Sequence, residues 1–137
     1  MAIKKITVLH GGQSSEREVS LESGKYIFQS LEELGYEVQL IDYPEHFSIQ
    51  QLTEEDFIFV ALHGKDGESG ELQKLLQQKR IPFSGSNFRA CENTWNKNTC
   101  KKLLKKNKIP TPRWITISSL FEIEKNLDDS FFDQLRP

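Results

Sequence analysis

The chain of 137 residues has the length of one ordinary domain, and its 36% hydrophobic and 28% charged residues describe a globular protein with its own core. A formal net charge of −2 argues against a dedicated polyanion binder, and no apolar run approaches a membrane span, so neither a nucleic-acid nor a membrane partner is expected. Lys4 and Lys5 precede only a short strand rather than a signal peptide, so the expected compartment is the cytoplasm.

Residues 3–9 read as a first strand, with Ile6, Val8 and Leu9 in an apolar run. It leads into His10-Gly11-Gly12-Gln13-Ser14-Ser15-Glu16-Arg17-Glu18, a tight turn that opens a helix over 15–34, with apolar residues recurring at helical spacing. Ser15 followed three residues later by Glu18 predicts a capping box, and Gly35 a C-terminal stop. Residues 36–42 form a second strand, ending at Asp42-Tyr43-Pro44, and residues 57–62 a third. The third runs into the glycine-rich loop His63-Gly64-Lys65-Asp66-Gly67-Glu68-Ser69-Gly70. A short helix over 71–79 is expected to bury Leu72, Leu75 and Leu76, and residues 82–86 read as a brief fourth strand. This order predicts an α/β fold, an open parallel sheet flanked by helices like half of a doubly wound Rossmann fold.

Two further helices are expected over 87–94 and 97–106, then a rigid connector at Pro110 and Pro112, a short strand over 114–117 and a helix over 118–127. Phe131, Phe132 and Leu135 would pack best against something that follows, so the tail predicts a chain that continues beyond Pro137. The expected division is a Rossmann-like domain over 1–94 and, over 95–137, a helical linker with the incomplete start of a second domain.

Ligands of open α/β sheets bind beyond the carboxyl ends of the strands, which is where both glycine-rich loops lie. Glu16, in the first helical turn, stays ionised beside the helix dipole and suits an ammonium group; the plainer reading is that it only complements the dipole. His63 ends the third strand and offers a base or a hydrogen-bond donor, or else simply caps that strand. Neither loop is a nucleotide fingerprint: the second lacks the G-K-[ST] ending and the first fails G-x-G-x-x-G. Asp42 is the nearest candidate for a ribose-binding acid. Lys97, Lys101, Lys102, Lys105, Lys106 and Lys108 make a basic helix that reads as a solvated face, with Lys97 placed to reach a nucleotide phosphate. Cys91 and Cys100 have neither zinc nor disulfide spacing and read as reduced thiols.

These residues resemble the amino-terminal part of the D-alanine–D-alanine ligases, ATP-grasp enzymes of peptidoglycan synthesis. The resemblance rests on the run from Gly11 to Leu21, on Ala61-Leu62-His63-Gly64 with Gly67-Glu68 and Gly70, on Pro82-Phe83-Ser84-Gly85-Ser86, and on Lys97 before Lys101, Leu103 and Leu104. It implies a pre-ATP-grasp domain followed by the truncated start of an ATP-grasp domain. It implies that Glu16 serves catalysis by holding the amino group of the first D-alanine, that His63 lies in the same subsite, and that Lys97 sits near the nucleotide phosphates. The implied reaction uses ATP to phosphorylate the first D-alanine carboxylate, with magnesium (Mg2+) between the phosphates, and the second D-alanine amine attacks the D-alanyl phosphate. It further implies a homodimer. The family usually has Met-Asp-Lys where this chain has Trp95-Asn96-Lys97. The family's magnesium carboxylates and nucleotide cleft fall beyond Pro137, so this stretch alone is expected to be inactive and to hold neither ATP nor magnesium tightly. The alternative reading is a non-catalytic small-molecule-binding module of the same fold.

Overall fold

Strand β1 (Lys5–Gly11) is the middle of three parallel strands, hydrogen-bonded to β2 (Val38–Tyr43) on one side and β3 (Asp56–Val60) on the other. The computed structural model describes residues 5–54 and 56–117. They fall into two units, Met1–Trp95 and Asn96–Pro137. In the first unit, helix α1 (Arg17–Glu33) connects β1 to β2, and α2 (Lys65–Glu68), α3 (Glu71–Gln78) and α4 (Phe88–Trp95) follow β3. The expected α/β class, a parallel sheet flanked by helices, is what the chain forms.

Side chains alternate across a strand, so β1, buried on both sides, feeds two cores. Ile6 and Val8 join Ile27 and Leu31 of α1, whereas Leu9 joins Ile58, Leu72, Leu76 and Ile81. Each fully buried Leu or Ile here is worth about 1.5–3 kcal/mol of transfer free energy. Buried Gly24 of α1 packs on His10 of β1: a Cβ at residue 24 would stand 2.7 Å from His10 Cγ and 2.8 Å from its Nδ1. Ser20, also buried, donates from Oγ to the Ala61 carbonyl at 2.8 Å. Both small residues let the helix lie close to the sheet.

Helix α1 ends as Gly35 suggests. Gly35 takes φ +83°, its N–H donates to Glu32 O at 2.9 Å, and the Tyr36 N–H donates to Leu31 O at 3.1 Å, a Schellman closure. Helix α3 closes in the same way with a non-glycine, Arg80 at φ +57°, where Arg80 N–H reaches Gln77 O and Ile81 N–H reaches Leu76 O, both at 3.0 Å.

Two expectations are corrected in this unit. Leu75 is 45% exposed and Gln73 only 3%, because the buried arc of α3 is centred on Leu76 and takes in Gln73, whose Nε2 donates to Gly67 O at 2.5 Å. The fourth strand reduces to a single parallel bridge between Ile58 and Phe83. Ile58 N–H donates to Pro82 O at 3.0 Å and Ser84 N–H to Ile58 O at 2.9 Å, but the next strand donor, Val60 N–H, is taken by the Ser84 hydroxyl at 2.9 Å. The serine thus ends the ladder.

In the second unit, α5 (Lys97–Lys106) is capped by Asn96, whose Oδ1 accepts from Thr99 N–H at 3.0 Å. Asn and Asp cap equally well, so asparagine in place of the family's aspartate costs this helix nothing. The strand expected over 114–117 is absent, since these residues find no strand partner among the described residues. Instead the Trp114 Nε1–H donates to Asn98 Oδ1 at 3.2 Å, and Lys101 Nζ lies 5.9 Å from the indole centroid while donating to Thr111 Oγ1 at 2.8 Å. The helix expected over 118–127, with Phe131, Phe132 and Leu135, lies outside the described residues. Among the described residues, no helix is long and apolar enough to cross a membrane.

Candidate functional site

Both glycine-rich loops leave the same edge of the sheet, one after β1 and one after β3. Gly11 and Gly12 take φ +83° and +84°. A side chain at Gly11 would strike the Asp42 carboxylate and stand 2.6 Å from Arg17 Nη1. That space is needed for a two-pronged pair, in which Arg17 Nη1 donates to Asp42 Oδ1 at 2.8 Å and Nη2 to Oδ2 at 2.5 Å. Nη1 also donates to Gly12 O at 3.1 Å, so the guanidinium ties the first loop to the end of β2. The hydrogen bonds from Arg17 hold the Asp42 carboxyl below its usual range, and the same contact raises the Arg17 guanidinium. Asp42 is therefore engaged within the fold. A cation in the first turn opposes the helix dipole, and its pairing with Asp42 offsets that cost.

The capping box expected from Ser15 and Glu18 does not form. The helix begins at Arg17 with Glu16 at the cap position and no side-chain cap bond, which leaves Ser15 outside the position a capping box requires. Ser14 takes over the turn. Its carbonyl accepts from Arg17 N–H at 3.2 Å, its Oγ accepts from Glu16 N–H at 3.2 Å, and its hydroxyl donates to the His63 carbonyl at 3.0 Å. A second tie joins the loops, since the Gln13 N–H donates to Asp66 Oδ2 at 2.5 Å.

Gly64 shows how close the loops come. At φ +72°, a Cβ there would lie 2.9 Å from Ser14 Oγ and 3.0 Å from Glu16 Oε2. The Glu16 carboxylate therefore stands beside the residue after His63, and among the described residues no cation pairs with it. His63 Nε2 lies 3.3 Å from Ser23 Oγ, which itself donates to Val19 O at 2.8 Å. A hydroxyl has one proton, so toward the imidazole Ser23 accepts; we assign the proton to Nε2 and leave Nδ1 as an acceptor without a partner among the described residues.

The loops that carry Glu16 and His63 thus meet at one edge, while Lys97 opens α5 in the other unit, exposed to solvent. The residues that hold the edge together, Ser14, Arg17 and Asp66, were not singled out from sequence. Arginine at a helix start, against the dipole, is the one local signal that pointed to a distant partner. What the edge offers chemically is a carboxylate with no cation partner among the described residues, on a turn that abuts the loop bearing His63; a carboxylate so placed is an acceptor for an ammonium group. Among the described residues no group of three or more His, Cys, Asp or Glu side chains is arranged to hold a metal ion.

No family model matches the chain. It is 43% identical over 131 residues to a D-alanine–D-alanine ligase of Magnetococcus marinus, covering 93% of this chain and 42% of that protein. It is 47% identical over 116 residues to one from Carboxydothermus hydrogenoformans, covering 83% of this chain and 37% of that protein. Among solved structures, D-alanyl-alanine synthetase A from Vibrio cholerae superposes with a TM-score of 0.77 at 27% identity, over 92% of this chain and 44% of its own. D-alanine–D-alanine ligase from Bacillus anthracis, solved with ATP, gives 0.71 at 34% identity, over 91% and 45%. The chain corresponds in sequence and fold to the amino-terminal portion of these ligases and spans about two fifths of the length of the curated relatives it matches.

Proposed function

We propose that this chain is the part of an ATP-dependent D-alanine–D-alanine ligase that receives the first D-alanine. The observation that carries the reading is the Glu16 carboxylate, unpaired among the described residues and 3.0 Å from a Cβ position at Gly64, beside His63. A carboxylate so placed holds the substrate ammonium and leaves the carboxylate end of D-alanine to face the phosphoryl donor. ATP phosphorylates that carboxylate, and the amine of a second D-alanine attacks the carbonyl of the D-alanyl phosphate and displaces phosphate. Magnesium, when bound, would supply charge neutralisation at the phosphates. His63, with its proton on Nε2, presents Nδ1 as a further acceptor for the substrate.

Lys97 completes the reading on the nucleotide side. At the first turn of α5 a lysine works against the dipole, while the same turn offers free backbone N–H groups, and the two together favour a phosphate. In this proposal residues 1–94 form the substrate domain, residues 95–137 a linker with the start of the ATP-grasp domain, and the whole enzyme is a cytoplasmic homodimer that supplies peptidoglycan.

The test is kinetic, in the full-length enzyme. Glu16→Gln removes the partner of the ammonium and should raise KM for D-alanine at the first subsite by about tenfold or more, the loss expected for a hydrogen bond to a charged group. Lys97→Ala should act chiefly on KM for ATP. Unchanged D-alanine kinetics in Glu16→Gln would overturn the assignment and favour a binding module without this chemistry.

A further inference from the structure

Glu16 occupies the cap position of α1 at φ −96° and ψ 13°, and its side chain makes no capping bond, so its carboxylate is directed by the backbone that carries it. Ser14 holds that backbone. The Ser14 Oγ accepts from the Glu16 N–H at 3.2 Å and donates to the His63 carbonyl at 3.0 Å, while the Ser14 carbonyl accepts from the Arg17 N–H at 3.2 Å. A hydroxyl carries one proton and two lone pairs, so a single oxygen serves both bonds at once, one to the main chain of Glu16 and one to the main chain of His63. The approach is close: a Cβ at Gly64 would stand 2.9 Å from both Cβ and Oγ of Ser14 and 3.0 Å from Glu16 Oε2. From within the second loop, the Glu68 carboxylate accepts from the Gly64 N–H at 3.0 Å and fixes that loop at the same residue.

We propose that Ser14 is a positioning residue for the substrate ammonium: by bonding the backbone of Glu16 and of His63 through one hydroxyl, it sets the Glu16 carboxylate against the loop that bears His63. This role rests on the reading of Glu16 as the ammonium partner. Ser14 acts through Glu16 and touches no substrate itself. Alanine at this position offers neither a donor nor an acceptor, while the Gln13 N–H still donates to Asp66 Oδ2 at 2.5 Å, so the two loops stay joined and the fold persists as Glu16 gains freedom against residue 64. A binding constellation has to be held to within about 0.5 Å of its productive geometry, so that freedom is read as weaker binding of the ammonium.

The experiment is a double-mutant cycle on KM for D-alanine at the first subsite, in the full-length enzyme. Ser14→Ala should raise that KM about three- to tenfold, the loss of one hydrogen bond, with kcat and KM for ATP within about twofold of the unsubstituted enzyme, because binding is lost equally from the ground and transition states. In a Glu16→Gln background the same substitution should change KM for D-alanine by less than about twofold, since the charge that Ser14 positions is already gone. Equal effects in the two backgrounds would make Ser14 a part of the fold alone and overturn the proposal, as would a parallel rise in KM for ATP. An unchanged D-alanine KM in Ser14→Ala beside a raised one in Glu16→Gln would overturn it and leave the reading of Glu16 standing. Unchanged D-alanine kinetics in Glu16→Gln would overturn that reading and, with it, the role of Ser14.

Discussion

Substituting Gly24 by alanine sets two known magnitudes against each other. A helix interior gains about 0.8–1 kcal/mol when alanine replaces glycine. At residue 24 the added methyl would stand 2.7 Å from His10 Cγ and 2.8 Å from Nδ1. His10 is 7% exposed on the central strand, and its Nδ1 lies 3.3 Å from Leu21 O, so it has little room to withdraw. Overpacking of this kind costs about 1–3 kcal/mol, and a strained imidazole contact to Leu21 adds about 0.5–1.5 kcal/mol. The clash prevails, and Gly24→Ala should destabilise the chain by about 1–3 kcal/mol. Urea unfolding reads this as a lower midpoint with an unchanged slope. A double-mutant cycle sharpens the test: the methyl's nearest neighbours are His10 Cβ, Cγ and Nδ1, which a His10→Gly background removes together, so there the cost of Gly24→Ala should disappear. If Gly24→Ala alone raised stability, α1 would not be seated on His10 and the close helix–sheet packing would be refuted.

Arg80→Gly should stabilise by about 0.5–1 kcal/mol in thermal unfolding, since Arg80 bears the left-handed penalty at φ +57° that Gly35 escapes at φ +83°. Gly35→Ala should lose about 1 kcal/mol by backbone strain alone, because a Cβ there meets nothing within 4 Å. For Asp42 the folded pKa lies below the unfolded value of about 3.9, so its contribution is full above that value and is lost as pH falls through the folded pKa. The stability gap between the chain and Asp42→Asn should therefore be constant above about pH 5 and shrink on acidification below about pH 4; a gap that persists at strongly acidic pH would contradict it.

The elements themselves were legible because they depend on short-range rules. Apolar periodicity located β1, α1, β3 and α5, and Gly35 marked the end of α1 through the one conformation it adopts freely. Glu16 and His63 were legible for a related reason: in a parallel sheet, loops that follow strands share one edge, so two glycine-rich turns after two strands must converge. The structure brings the Glu16 carboxylate to Gly64, the residue after His63, as that convergence of loops requires. The helix start was misread, because Ser14 and Ser15 carry the same chemistry and only the tie from Ser14 to the His63 carbonyl selects between them.

By itself, then, the sequence determined the α/β class, the order of the elements and the placement of Glu16 and His63 on the loops at one sheet edge. These follow from spacing along the chain. The tertiary structure alone decided what depends on residues far apart in sequence. Parallel register sets His10 beside Asp42, which brings Asp42 within reach of Arg17. The seat of α1 on the sheet makes Gly24 a packing residue rather than a flaw in a helix, and the Gly67 carbonyl draws Gln73 inward where Leu75 was expected. A hydroxyl at Ser84 stops a strand that local propensity would have continued. In each case competing partners are equivalent in local sequence, and only the register and the packing of distant segments determine which one is within reach.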